Sequence, residues 1–360
     1  MLGLLSGLLL AVVGGCADAP PLPPIVWEGE HLRFGTDADE TVLCAGTLLY
    51  LDGVAGYLGE TFGRPEAGVD YYWLPEGTDG YCPDDAEGCA NDRGTFSRYP
   101  IHRHELVHAV RWPSRMQLPF EEGLAEAYGD DWNRFPVEGD IGDLLRDPAG
   151  NGYIPGQGYG LAAHFVSYLQ ADHGFDALLE LDAATDYEQS YSDAAAAFER
   201  VYDQPLEAVI EQYEAEYPRC STLTFRDKGF DCNRNVIEAP TEIDQEVRTT
   251  ISLSCDDPAV LGPRGGQRWT TRALEVTVAG RYYVTGRPLD EQQPIEFVAI
   301  RKCDASCIDA WDSLSSLTGS QFGSGHCLEP ARYLFRFAVA EDLDNDSELA
   351  VARVDYPPCE

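Results

Sequence analysis

The residues in this chain best suited to chemistry are His104 and His108, which enclose Glu105 in the run His-Glu-Leu-Val-His. If this run is helical, the two imidazoles stand one turn apart on the same helix face. Two such imidazoles can bind one zinc ion, while Glu105, about a hundred degrees round the helix, faces a water molecule beside the ion. The spacing therefore predicts a zinc site with Glu105 as its general base.

A catalytic zinc ion needs a third protein ligand and one open position. The run Phe120–Glu126 follows the first motif closely and has the spacing of a second helix, on which Glu122 and Glu126 lie one turn apart. A closed structural site is disfavoured because it takes four protein ligands, and no Cys or third His is suitably placed nearby. Three other carboxylates stay open as alternative ligands: Glu121, Asp130 and Asp131.

Together, the two runs resemble those of the gluzincin zinc metallopeptidases, which pair an HExxH helix with a later helix bearing Glu-Gly-x-Ala or Asn-Glu-x-x. The resemblance implies that Glu122 is the third zinc ligand and that Glu126 orients His104. The chain departs from the family at Glu121, where relatives often carry Asn or Ser. It also departs at Phe120, which replaces a Trp-containing pair and concerns packing more than zinc binding.

A third run, Gly158–Leu169, is similar to the next helix of exported peptidase MA-like proteins, so the resemblance covers roughly residues 40–217. It implies an enzyme, a zinc-dependent peptidase that hydrolyses a peptide or protein substrate with a zinc-activated water and Glu105 as base. In relatives, a Tyr or His of this region stabilises the oxyanion. Tyr159 is the catalytic candidate here and His164 the alternative. The alternative function is a non-catalytic binding scaffold in which zinc is structural or absent.

The N-terminus predicts export. Met1–Val13 is apolar, too short to span a bilayer, and similar to the core of a secretory signal. The run Val13–Cys16 resembles the lipobox of bacterial lipoproteins, in which the chain is cut before the Cys and the Cys is acylated. The resemblance implies a signal peptide over residues 1–15, a lipid on Cys16 that anchors the protein to the bacterial cell envelope, and a tether over residues 16–24.

Besides Cys16, ten cysteines remain, and an even number in an exported chain predicts disulfides. The sequence does not fix their connectivity. Proximity along the chain favours three pairs: Cys82–Cys89, Cys220–Cys232 and Cys303–Cys307. The last pair also has zinc-finger spacing, but no second such pair follows it.

The charge of the chain excludes one class of partner. With 25 Lys and Arg against 62 Asp and Glu, the formal net charge is −37. Nucleic-acid binding requires clusters of positive charge on the protein, so we expect no nucleic-acid partner. The chain is nevertheless 44% hydrophobic and can bury a core.

The elements that must position the motifs predict an α+β fold in two parts. Helical periodicity dominates up to about residue 217, whereas short β-like runs separated by turn residues follow Cys220. We expect a gluzincin-like metallopeptidase domain with a small mixed sheet over residues 25–220, a linker over 221–240 and a small β-sandwich accessory domain over 241–360.

Four expected elements lie close to the motifs. We expect an amphipathic helix over Thr41–Phe62 and a Gly- and Asp-rich loop over Thr78–Arg93. We also expect an edge strand over Gly94–Tyr99 that could pair with a peptide, and a zinc-binding helix over Pro100–Trp112. Four histidines lack ligand spacing and are expected at the surface: His31, His102, His173 and His326.

Overall fold

The computed structural model describes residues 20–113, 116–129, 136–147, 154, 156–187, 189–217, 227–290, 295–303, 314–317, 322–343, 346–355 and 359. The described part combines helices with several sheets, so a mixed α and β architecture is confirmed. None of its helices combines the length and the hydrophobicity that a bilayer crossing requires. Several predictions fall outside the described residues, namely the signal peptide, Cys16 and the start of the tether, and those for Asp130, Asp131, Cys220 and Cys307.

The first sheet is built from five short strands: β1 (Ile25–Glu28), β2 (Leu32–Thr36), β3 (Val69–Trp73), β4 (Gly88–Asn91) and β5 (Gly94–Ser97). Their order is β1-β2-β3-β5-β4. The three inner strands are parallel, and β1 and β4 pair antiparallel at the two edges. Aromatic residues of the inner strands, such as Phe34 and Tyr71, are fully buried, which explains why so short a sheet is stable.

The prediction that Gly94–Tyr99 forms an edge strand is wrong, because β5 lies between β3 and β4. The edge strand is β4, inside the predicted loop Thr78–Arg93. A strand of Gly, Cys, Ala and Asn shows no alternation of polar and apolar residues, so periodicity could not reveal it. The predicted Cys82–Cys89 disulfide is confirmed, and it ties the preceding loop to β4.

The helices described in the chain are α1 (Thr47–Thr61), α2 (Arg103–Arg111), α3 (Leu118–Ala127), α4 (Ile141–Arg146), α5 (Gly156–His173), α6 (Phe175–Ala184), α7 (Tyr191–Tyr202), α8 (Leu206–Glu216) and α9 (Gly229–Cys232), with a 3-10 turn at Glu40–Val42. Two begin later than predicted. α1 begins at Thr47 rather than Thr41, because the backbone N–H groups of residues 44–46 donate to carbonyls of the C-terminal part. α2 begins at Arg103 rather than Pro100.

The C-terminal part contains β6 (Val236–Glu238), β7 (Glu246–Ile251), β8 (Leu261–Arg264), β9 (Gln267–Val276), β10 (Gly280–Pro288), β11 (Ile295–Lys302), β12 (Leu314–Leu317), β13 (Phe322–Leu328), β14 (Ala331–Ala340) and β15 (Ser347–Val354). One sheet has the order β13-β10-β15-β7, and the other has the order β12-β11-β14-β9-β6, with β8 also paired to β9. Val284 and Val351 of the first sheet share one buried cluster with Phe335 and Phe337 of the second. The two sheets therefore pack on a common core. His326 of β13, expected at the surface, is buried here.

The two parts are joined by packing and by disulfides. Leu261, Trp269 and Ala338 of the C-terminal part belong to the main core of the N-terminal part. The described portion of the predicted linker contains α9 and β6, and β6 pairs with β9.

The disulfide pattern differs from the local pairs expected. Cys44 is bonded to Cys255 and Cys232 to Cys303, and a further bond joins Cys327 to Cys359. The predicted pairs Cys220–Cys232 and Cys303–Cys307 are therefore wrong. The fold brings together cysteines 211 and 71 residues apart in sequence, which proximity along the chain could not indicate.

Candidate metal centre

Helices α2 and α3 pack against each other and bring the two motifs together. Their apolar residues, such as Leu106 and Leu124, enter the main core, which turns the polar residues of both helices toward one another. Five of the six polar motif residues are buried, and His104 is half-buried. The polar set consists of His104, Glu105 and His108 on α2 and Glu121, Glu122 and Glu126 on α3.

Three potential ligand atoms converge at one point. His104 Nε2 lies 3.1 Å from Glu122 Oε2 and 3.3 Å from His108 Nε2, and His108 Nε2 lies 3.5 Å from the same Glu122 oxygen. A tetrahedral zinc ion with nitrogen and oxygen ligands at about 2.0–2.1 Å places neighbouring ligand atoms about 3.3–3.4 Å apart. The triangle therefore has the dimensions and the donor types of a zinc site, and the structure brings together the three predicted ligands.

Each imidazole is held from behind by a carboxylate. The ring of His104 is oriented by Glu126, whose Oε2 lies 3.2 Å from Nδ1. His108 Nδ1 lies 2.8 Å from Glu121 Oε1. When Nδ1 donates to these oxygens, Nε2 of each ring is left to face the ligand point. Glu126 occupies the place expected of it, whereas Glu121, considered as a reserve ligand, points at the far nitrogen of His108.

Glu121 is also the centre of a buried ion network. Its Oε2 accepts from Arg111 Nη1 at 2.6 Å and from the backbone N–H of Met116 at 3.0 Å. Arg111 Nη2 in turn donates to Asp182 of α6 at 2.7 Å. Burial would raise the pKa of Glu121, but Arg111 and His108 lower it to about 2. Glu121 therefore stays ionised.

The electrostatics of the site favour positive charge at the ligand point. Burial would lower the pKa of His108, but the carboxylates of Glu122 and Glu121 raise it to about 9. Burial would raise the pKa of Glu122, yet His108 and His104 hold it well below its usual range. A metal ion placed at this point meets the same carboxylates and competes with protons for the same atoms.

A cleft of about 410 Å³ opens beside the ligand atoms. Glu105, the predicted base, lines it, as do residues 88–91 of β4. The approach of Glu105 to the sheet requires a glycine, because a Cβ at Gly88 would lie 2.8 Å from Glu105 Cγ and 2.8 Å from His102 Nδ1. His102, expected at the surface, is buried, and its Nδ1 lies 2.9 Å from Ser97 Oγ.

Tyr159 reaches the cleft and His164 does not. The Tyr159 ring lies 5.8 Å from the His104 ring, centre to centre, and lines the cleft. α5, which carries Tyr159, packs closely against α3 at Gly123. This packing requires glycine, because a Cβ at Gly123 would lie 2.6 Å from the carbonyl oxygen of Ala162. His164 is fully buried and its Nδ1 lies 2.8 Å from the hydroxyl of Tyr213. Of the two oxyanion candidates, Tyr159 alone lines the cleft.

Sequence reasoning missed four residues of this site. Arg111 carried a usable clue, because it lies three residues after His108 and therefore near the same face of α2. Asp182 carried none, since it is 71 residues from its partner. Trp112 and Tyr187 line the cleft and add aromatic surface to it.

Comparison with known proteins identifies no family for this chain. No family model matches it, and no curated protein does. Among solved structures, it is similar to the pre-peptidase C-terminal domain of a collagenase from Bacillus anthracis, at 13% identity over 32% of this chain and 92% of that one. The TM-score is 0.23, which is too low to establish a shared fold.

Proposed function

We propose that this protein is a zinc-dependent peptidase of the gluzincin type, with His104, His108 and Glu122 as its zinc ligands. The observation that carries the proposal is the triangle of their ligand atoms, with sides of 3.1, 3.3 and 3.5 Å, beside a cleft that Glu105 lines. Among the described residues, three side chains converge there, which leaves a fourth position for substrate or water.

Zinc, when bound, lowers the pKa of a water molecule toward about 7 and polarises a carbonyl oxygen. Glu105 accepts the proton of the attacking water and passes it to the leaving amine. Tyr159 donates a hydrogen bond to the carbonyl oxygen as negative charge develops on it. Glu126 and Glu121 keep the two imidazoles oriented throughout.

The position of β4 supports a peptide as substrate. β4 is the last strand of its sheet, paired with β5 on one side, and its residues line the cleft beside Glu105. An extended peptide can pair with such an edge and run past the ligand atoms. The strand order of the sheet thus moves the proposed peptide-binding edge from Gly94–Tyr99 to Gly88–Asn91.

We also propose that the chain is exported and anchored to the bacterial envelope by a lipid on Cys16. The disulfides in the described part of the chain support export, because such bonds persist in oxidising compartments. The proposed partners are therefore a peptide or protein substrate and a membrane. The strongly acidic composition offers no support for a nucleic-acid partner.

The first test measures zinc content and peptide cleavage of the oxidised protein for the wild type and for Glu105→Gln. We expect one tightly bound zinc ion per chain in both. Cleavage should fall about 10²–10⁴-fold in the variant, the usual contribution of a general base. Glu180→Gln, an exposed carboxylate on α6, is the matched control and should retain both zinc and cleavage.

Each outcome decides between the candidate functions. A folded wild type without zinc contradicts the metal centre. Bound zinc without cleavage of any peptide in a mixed library contradicts the peptidase and leaves the non-catalytic scaffold. Cleavage that survives Glu105→Gln unchanged contradicts the role of Glu105 as base.

A further inference from the structure

The segment just ahead of the candidate metal helix is held by the C-terminal part of the chain. Arg264, at the end of β8, donates from Nη1 to the carbonyl oxygen of Ile101 at 2.8 Å. Its guanidinium also lies over the ring of Tyr99, 4.3 Å from the ring centre. Arg264 is only 4% exposed, so both contacts are made in a desolvated environment, where they are strongest.

This segment has no secondary structure of its own to fix it. Residues 98–102 connect β5 to α2 outside any strand or helix, and His104 lies in the first turn of α2. Within the N-terminal part the segment is held nearer β5, where the Arg98 N–H donates to the Glu87 carbonyl and the Tyr71 hydroxyl donates to the Tyr99 carbonyl. The first N–H groups of a helix lack partners within the helix, so the direction of that turn depends on the chain that enters it. A contact at Ile101, three residues before His104, therefore bears directly on the first ligand.

A second contact joins Arg103, the first residue of α2, to α9 in the linker. Arg103 Nη1 lies 3.0 Å from Asp231 Oδ2, and the hydroxyl of Tyr50 donates to that oxygen at 3.2 Å. Asp231 belongs to α9 and immediately precedes Cys232, which the disulfide fixes to Cys303. The chain is thus attached at two points ahead of His104, at Ile101 to β8 of the C-terminal part and at Arg103 to α9 of the linker.

Arg264 lies on a strand that is itself held in place by other contacts. Two residues before it, Gly262 exchanges two hydrogen bonds of 3.0 Å with the hydroxyl of Thr47, at the start of α1. The Cys44–Cys255 disulfide closes the same region. β8 is therefore held in place relative to α1, and the guanidinium has a defined position from which to act on the α2 segment.

We propose that Arg264 is a positioning residue for the metal centre, and that the C-terminal part completes this centre rather than serving only as an accessory. The inference rests on the proposed zinc site. By fixing Ile101 and Tyr99, Arg264 sets the start of α2 and thereby the place of His104 relative to His108 and Glu122. Arg264 is not among the residues that line the cleft, and its contacts with Ile101 and Tyr99 lie just ahead of α2, so we infer that it acts through α2.

The test measures the zinc dissociation constant of the oxidised full chain by chelator competition, together with unfolding by denaturant in EDTA. We expect Arg264→Gln to weaken zinc binding about 10–100-fold, the range seen when the supports of metal ligands are removed. Arg264→Lys, which keeps a donor for the Ile101 carbonyl, should recover part of that loss. Arg287→Gln, an exposed ion-pair residue of the same part, should leave zinc binding unchanged.

The outcomes separate this inference from the proposed function. A wild type that binds no zinc overturns both. A wild type that binds zinc, with a folded Arg264→Gln of equal zinc affinity, overturns the inference alone, even if the variant unfolds more easily in EDTA. If Arg264→Gln does not fold, Tyr99→Leu removes the ring under the guanidinium and decides in its place, with Tyr99→Phe as its control.

Discussion

Two buried clusters of charge begin at neighbouring residues of α2, and they are built differently. The Arg103 cluster contains the Arg103–Asp231 ion pair and Asp227, 4.0 Å from the same guanidinium, and the next residue along the chain is the buried Lys228. The hydroxyls of Tyr50 and Tyr57 donate to the two aspartates. Counting Lys228, two cations accompany two anions here, so positive and negative charges are equal in number.

The His104 cluster does not balance. It comprises Glu121, Glu122 and Glu126 with the two ligand histidines and Arg111, and Arg111 is shared with Asp182. Four carboxylates thus face one guanidinium and His108, whose pKa the carboxylates raise. Burying unbalanced charge is unfavourable unless another ion compensates for it. The difference between the two clusters supports the proposed metal site, because the cluster with excess negative charge is the one that opens into a cleft.

The largest effect we expect comes from the ligands of the unbalanced cluster. The free energy of zinc binding to structural sites in proteins is roughly 10–16 kcal/mol. If three ligands share such a free energy, losing one weakens the affinity on the order of a thousandfold. His108→Ala and Glu122→Gln should therefore abolish the rise in melting temperature that zinc gives the wild type. His31→Ala, outside the cluster, should keep that rise. Equal zinc-induced shifts in all four proteins would place the metal elsewhere.

The two clusters show which residues of the site could be predicted from the sequence and which could not. The convergence of His104, His108 and Glu122 was predictable, because spacing within helices and a family resemblance specify it locally. The role of Glu121 was not, since the side of α3 that faces His108 depends on packing. Arg264 was out of reach altogether, because its contact with Ile101 spans 163 residues.

The same limit applies to the fold. Periodicity located α1, α2 and α3, since it is a property of neighbouring residues, but it did not reveal the short helices α4 and α9. It misplaced the start of α1, which is set by hydrogen bonds from residues 44–46 to a distant part of the chain. The sheet edge was misassigned for a related reason, because β4 is short and lacks a pattern. Long-range contacts, rather than local propensity, decide these features.

The next effect tests the balanced cluster. Arg103→Met leaves Asp231 buried without its ion pair, and Asp231→Asn leaves Arg103 with only the more distant Asp227, 4.0 Å away. Breaking one side of a buried pair costs about 3–5 kcal/mol. We expect a loss near the lower end of that range, about 3 kcal/mol, in the free energy of unfolding measured by denaturant in EDTA.

The double variant Arg103→Met/Asp231→Asn distinguishes the pair from general damage. Because it removes both charges, it should unfold with a smaller loss than the sum of the two single variants. Losses that simply add would show that the two residues do not act as a pair. Arg248→Gln, in an exposed ion pair of β7, should change the free energy by less than about 1 kcal/mol.

The smallest expected effect is the difference between Glu121 and Glu126, the two carboxylates that orient the imidazoles. Glu126→Gln and Glu121→Gln should each weaken zinc binding about 10–100-fold, because each removes the anion behind one histidine. Glu121→Gln should also lower the free energy of unfolding in EDTA, since it deprives the buried Arg111 of one of its two anions. Equal unfolding free energies for the two variants would contradict the difference inferred between them.

The extra loss of unfolding free energy in Glu121→Gln should depend on pH in a defined direction. The folded state holds the pKa of Glu121 at about 2, below its ordinary value near 4.5. The stability that ionised Glu121 provides is thus fully present above about pH 4.5, and it is lost as the pH falls from there toward 2. The gap in unfolding free energy between wild type and Glu121→Gln should accordingly shrink as the pH falls from about 4.5 toward 2. A gap that stays constant down to pH 3 would show that the carboxylate charge does not hold Arg111.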